Sequence, residues 1–161
     1  MRILVAIDGS ECSTRAVKYV AEMLRARADA EVMVFHVLSP LPPQLLEHGG
    51  SENPKKETRL EAKLQKDQQD WYTRERETEQ GILQQAKTIL VQAGLDGAHV
   101  QMKLGYEDNI ARNIIETARS DRYTTIVVGR HGHSGINRFS LEGVTMHLIR
   151  EGSGLTIWVV E

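Results

Sequence analysis

Apolar positions follow two rhythms along this chain. Arg2 to Ile7 is an unbroken aliphatic run that Asp8-Gly9-Ser10 cuts off. A run apolar on both faces predicts a central parallel strand covered by helices. From Cys12 to Arg27 the rhythm changes. Ala16, Val17, Val20, Met23 and Leu24 recur at spacings of three and four and predict one helical face, capped by Ser10 or Ser13. Further strands are predicted at Glu31 to Leu38, Ala98 to Leu104, Thr124 to Val128 and Leu155 to Val160. Alternation in Ala98 to Leu104 places that strand nearer a sheet edge. A second helix is predicted on Ile82, Leu83, Ala86, Ile89, Leu90 and Ala93, closed by Gly94. A third runs through Ile110, Ala111, Ile114, Ile115 and Ala118, with Glu107 and Asp108 suiting its N-terminus. Asn137 to Arg150 predicts the last helix, burying Phe139, Leu141, Val144, Leu148 and Ile149.

The order βαβαβαβαβ predicts an α/β fold: an open parallel sheet of five strands with helices on both faces and right-handed crossovers. Residues 1–161 read as a single domain without internal repeats. In open sheets of this kind, ligands sit outside the C-terminal strand ends, where the strand order reverses. Asp8, Val37 and Gly129 all fall at such ends, so they are expected to share one crevice.

Between Ser39 and Gln80 the pattern fails. Pro40, Pro42 and Pro43 forbid regular structure, and His48-Gly49-Gly50-Ser51 signals a loop. Ser51 to Gln80 carries fifteen charged residues, seven basic and eight acidic, and its Leu60, Ala62, Leu64, Trp71 and Tyr72 make no strong stripe. The expectation is a mobile loop feeding a solvated helix. The sharper alternative is a lid or partner-binding arm carrying Trp71.

Composition narrows the function. Hydrophobic residues make up 40% and charged residues 26%, ordinary globular usage. A net charge of −2 argues against a nucleic-acid binder held by bulk charge. No apolar run approaches the ~20 residues of a membrane span. The apolar N-terminus is too short for a signal peptide, so a cytoplasmic location is expected. Cys12 is the only cysteine, which excludes an internal disulfide and a cysteine-cluster zinc site. It reads as a buried, inert thiol near a helix start.

The chemistry concentrates after the fourth strand, in Val128-Gly129-Arg130-His131-Gly132-His133-Ser134-Gly135. Glycines spaced in this way let backbone N–H groups turn toward an anion, and the following helix start adds partial positive charge. The spacing matches neither the dinucleotide fingerprint nor the P-loop. His131 and His133 lack a third nearby ligand, and the metal question stays open. Arg130 and Arg138 read as surface charges able to offset phosphate. Trp158 reads as a core or dimer contact. No Ser/His/Asp arrangement or poised base is readable, so no enzymatic activity is expected beyond slow, incidental ATP hydrolysis.

The chain resembles the universal stress proteins. The resemblance runs from Val5-Ala6-Ile7-Asp8-Gly9-Ser10 through Val34-Phe35-His36-Val37 and Gly105 to the glycine loop, and leaves out the stretch at about 39–80, where that family varies. It implies an adenine-nucleotide α-hydrolase-like, Rossmann-like fold with strand order 3-2-1-4-5, dimeric through the last strand, Leu155 to Val160. Nucleotide-binding members carry G-x-x-G, nine residues, then G-[S/T]. By resemblance Asp8 meets the adenosine part and the Val37 backbone meets the base. Val128, Gly129, Arg130, His131 and Gly132 form the phosphate loop, joined by Gly143 and Val144. The final pair departs from the pattern. The expected glycine and hydroxyl residue fall on Glu142 and Gly143, with Val144 and Thr145 following in phase. The resemblance therefore implies a stress-response protein with ATP, ADP or AMP as regulatory ligand, and Glu142 offers an oxygen to an accompanying magnesium ion. The alternative is a family member that binds no nucleotide and acts through protein contacts. Neither nucleic acid nor membrane is an expected partner.

Overall fold

The computed structural model describes residues 1–25, 27, 29–37, 41–47, 49–50, 53–105, 109–130 and 141–161, the side chains of Leu141 and Glu142 excepted. Five strands, β1 (Arg2–Ala6), β2 (Glu31–Val37), β3 (Val100–Gly105), β4 (Thr125–Gly129) and β5 (Thr156–Val160), form one sheet in the order β3-β2-β1-β4-β5. Every pairing is parallel, with Val5 beside Val34 and Val127. The strand order matches the expectation, including β3 at an edge.

Strand alternation sends side chains to two cores. Ile3, Val5, Ile7, Val32 and Val34 pack under α1 (Glu11–Leu24) and the C-terminal part of α2 (Pro54–Gln92). Leu4, Ala6, Met33, Phe35 and Val37 pack under α3 (Ile110–Ser120) and α4 (Leu141–Glu151). Each fully buried aliphatic side chain in these layers stabilises the fold by about 1.5–3 kcal/mol relative to exposure.

Several boundaries differ from the sequence reading for local reasons. β1 ends at Ala6, but Ile7 still donates its N–H to Phe35 O at 2.9 Å. Ser10 is the cap of α1, its Oγ accepting from Ser13 N–H at 3.1 Å, and the helix stops at Leu24 rather than Arg27. A single 3-10 turn, Gly97–His99, replaces the start expected for the third strand. β4 is shifted by one residue, β5 starts one residue later than expected and ends where expected, and α3 is capped by Asn109. Leu38, Glu107, Asp108 and the stretch from Asn137 to Ser140 lie outside the described residues.

The charged stretch holds the solvated helix expected there, which starts early and runs long. From Pro54 onward it is helix, continuous through Gly81 to Gln92. Asn53 caps it, its Oδ1 accepting from Lys55 N–H at 3.1 Å, and Pro54 occupies the first turn, where its missing N–H costs nothing. Lys, Glu, Arg, Gln, Leu and Ala dominate the turns beyond Pro54, and these side chains lose little rotamer freedom in a helix. The buried residues of α2, Glu79, Leu83, Ala86 and Leu90, all lie beyond Thr78. Among the described residues no helix is long and apolar enough to cross a membrane.

Candidate functional site

The crevice forms where β1 and β2 end. Asp8 lies two residues past β1, and its Oδ1 accepts the N–H of Ser10 at 3.0 Å, which fixes the carboxylate at the start of α1. Val37 is the last residue of β2. Asp8, Val37 and Val144 of α4 line one cavity of about 50 Å³ with Ala6, Phe35 and Ile114. That volume suits a water or two, so the cavity is the floor of a site.

The remaining expected residues lie around this floor. Val128 is fully buried in the core beneath α3 and α4. Gly129 ends β4, and its lack of a side chain has a packing cause. A Cβ there would stand 2.8 Å from the Cys12 carbonyl carbon and 2.9 Å from Ser13 N. The start of α1 therefore rests directly on the end of β4. Thr145 Oγ1 donates to Gly129 O at 3.5 Å, bringing α4 to the same point. Arg130 turns away from the crevice: its N–H donates to Val160 O at 2.7 Å and its guanidinium pairs with the Glu161 carboxylate. Gly143 is exposed in the first turn of α4, where backbone N–H groups have no intrahelical acceptor. His131, Gly132, His133 and Arg138 lie outside the described residues, as does the Glu142 side chain.

Cys12 differs from the expectation of a buried thiol. It is partly exposed, and Arg15 Nη2 lies 2.8 Å from its Sγ. The first turn of a helix leaves its outward face open to solvent, and the Gly129 contact uses the backbone and Cβ of Cys12. Trp158 is half-buried and meets Tyr19 edge to face at 6.2 Å between ring centroids. Among the described residues no group of three His, Cys, Asp or Glu is arranged to hold a metal ion.

A buried pair behind the crevice escapes the sequence reading. His36 Nε2 lies 2.6 Å from Glu79 Oε2, with side-chain exposures of 7% and 9%. His36 Nδ1 lies 2.5 Å from Ile7 O. A carbonyl only accepts, so Nδ1 carries a proton there. Among the described residues neither Nε2 nor Oε2 has another hydrogen-bond partner. Burial alone would lower the imidazole pKa. The Glu79 carboxylate, the Ile7 carbonyl and the Asp8 charge outweigh burial, and the net shift is upward from 6.5. A signal for this pair is present in the chain, since Glu79 precedes Leu83, Ala86 and Leu90 on one helical stripe.

The parallel β3-β2-β1-β4-β5 sheet, with a largely apolar floor and the Asp8 carboxylate at its C-terminal edge, has the adenine-nucleotide α-hydrolase-like fold. Within that class the chain belongs to the universal stress protein family, whose model matches residues 1–154. Solved structures agree with the fold. A universal stress family protein from Burkholderia pseudomallei is 17% identical, with a TM-score of 0.63 over 99% of this chain and 94% of that one. A universal stress protein in complex with cAMP is 20% identical, with a TM-score of 0.62 over 100% and 96%. One from Arabidopsis thaliana with AMP bound is 13% identical, with a TM-score of 0.62 over 99% and 90%. No curated protein matches the chain's sequence.

Proposed function

We propose that this protein is a cytoplasmic stress-response protein that binds ATP, ADP or AMP as a regulatory ligand at the C-terminal strand ends. The observation that carries this reading is the convergence of Asp8, Val37 and Val144 on one cavity at the sheet's C-terminal edge. Related proteins crystallised with cAMP and AMP support an adenine ligand. Asp8 would receive the ribose hydroxyls and the Val37 backbone the base. Phosphates would meet the free N–H groups of the first turn of α4, Gly143 among them. Magnesium would enter with the phosphates, and Glu142, adjacent to Gly143 in the sequence, would offer it an oxygen. The ligand is held and not turned over. His36, the one buried histidine among the described residues, is engaged by Ile7 O and Glu79 and does not serve as a base. Calorimetric titration of nucleotide-free protein with ATP, AMP and adenosine, with and without magnesium, tests the reading. Absence of heat from all three rejects it.

The homodimer through β5 has support on both sides of that edge strand. Val159 is 41% exposed, and Tyr19 and Met23 of α1 and Met146 and Ile149 of α4 are exposed apolar side chains. Both helices pack against β5.

A second reading, a family member with a vestigial site that works through protein contacts, is favoured by Gly143. A Cβ at Gly143 would meet no described residue within 4 Å. Glycine offers no hydroxyl at this position. On this reading, Glu142→Gly combined with Gly143→Ser creates ATP binding where none existed. Tight binding that the double change leaves unaltered removes the second reading.

A further inference from the structure

The first part of α2, Pro54 to Thr78, contains no buried residue and is about 37 Å long at 1.5 Å per residue. Gln68 Nε2 ties it to the preceding segment by donating to Leu45 O at 2.7 Å. Charge is divided along it. From Pro54 to Lys66 five basic side chains outnumber two acidic ones, and from Asp67 to Thr78 four acidic outnumber two basic. That polarity opposes the helix macrodipole, which disfavours Lys55 and Lys56 in a first turn. The arrangement therefore costs an isolated helix a little and needs an offset elsewhere. Apolar groups mark the middle. Leu60, Leu64 and Trp71 lie half-buried along one stripe. Trp71 packs edge to face on Tyr72, and Tyr72 and Leu46 are 41% and 58% exposed.

We propose that this arm pairs with the same arm of a second copy of the chain, antiparallel, about a two-fold axis near Lys66 and Asp67. A two-fold axis makes a surface self-complementary, and a helix basic at one end and acidic at the other meets that requirement only in the antiparallel sense. Each basic half then lies along the partner's acidic half, and Leu60 comes opposite Trp71 and Tyr72 of the other copy. A parallel pair would align like charges. The contact is separate from the β5 edge and from the nucleotide crevice, so it stands whether or not either of those readings holds. With both contacts in use, the protein would assemble beyond a dimer.

A cross-linking experiment on the full chain tests this. Cys12→Ser with Asp67→Cys leaves a single thiol beside the axis on the face of Leu60, Leu64 and Trp71, and a short bismaleimide should join two chains at micromolar protein. Lys55→Glu with Lys56→Glu and Lys63→Glu makes the whole arm acidic. Asp70→Lys with Glu75→Lys and Glu77→Lys makes it basic. Each set in the Asp67→Cys background should lose the cross-link alone, and an equimolar mixture should regain it as a mixed species. Recovery in the mixture also shows that both variants are folded. No cross-link in the parent, equal cross-linking of all three proteins alone, or no recovery in the mixture overturns the proposal. Adding Val159→Lys to the parent should leave the yield unchanged. A yield lost with Val159→Lys assigns the cross-link to the β5 edge and likewise overturns it.

Discussion

Replacing His36 by leucine should cost far more stability than replacing Glu79 by leucine, and replacing both should cost least. The two side chains meet at 2.6 Å with exposures below one tenth. At an effective dielectric of about 20 the gross attraction at that distance is roughly 6 kcal/mol. Desolvating the two ions consumes several kcal/mol each, so the intact pair gives little net stability. The consequence appears when one partner is removed. His36→Leu leaves Glu79 Oε2 buried with no other hydrogen-bond partner among the described residues, and breaking such a pair costs about 3–5 kcal/mol. Glu79→Leu lets His36 release a proton and remain neutral, with Nδ1–H still on Ile7 O. Its cost should be about 1–2 kcal/mol. The double variant packs leucine against Leu83 and Val34 and should return to within roughly 1.5 kcal/mol of the parent. Urea unfolding followed by far-ultraviolet circular dichroism gives all four corners of the cycle. Single effects that add to within about 0.5 kcal/mol would show no coupling and refute the reasoning. The pH dependence carries a further sign. The folded-state pKa of His36 is raised above 6.5, so its contribution is complete below that value and is lost as pH rises through the folded value. Stability of the parent relative to the double variant should decline above pH 6.5. A difference that grows with pH would contradict the assignment of His36 as the group that holds the proton.

Gly129→Ala should destabilise the protein by about 1–3 kcal/mol in the same unfolding assay, because the new Cβ would stand 2.8 Å from backbone of α1. Asp8→Asn should weaken adenosine or AMP binding roughly 10- to 100-fold by calorimetry, from the loss of a charged acceptor worth about 1.5–3 kcal/mol. It should alter stability little, since the amide oxygen can still accept from Ser10 N–H. Val159→Lys should abolish the β5-mediated dimer in a light-scattering measurement, because it places charge on an edge strand that is exposed and apolar. An unchanged mass would dismiss that edge as the interface.

The sequence alone determined the succession of strands and helices, hence a parallel sheet, and the ends of β1, β2 and β4 where a ligand would lie. These follow from apolar spacing within a few residues, which is local information. Asp8 and Val37 were legible because strand ends are marked by abrupt changes of residue type. The same local reasoning gave a solvated helix within Ser51 to Gln80 but not its start or its length, because no strong apolar stripe marks them. Only the tertiary structure decided what the helices press against. It set Gly129 under α1, turned Arg130 toward Glu161 and joined His36 to Glu79 across forty-three positions of chain. Those contacts depend on how each crossover lays its helix on the sheet. That placement is fixed by the packing of whole elements, and no short stretch of residues encodes it.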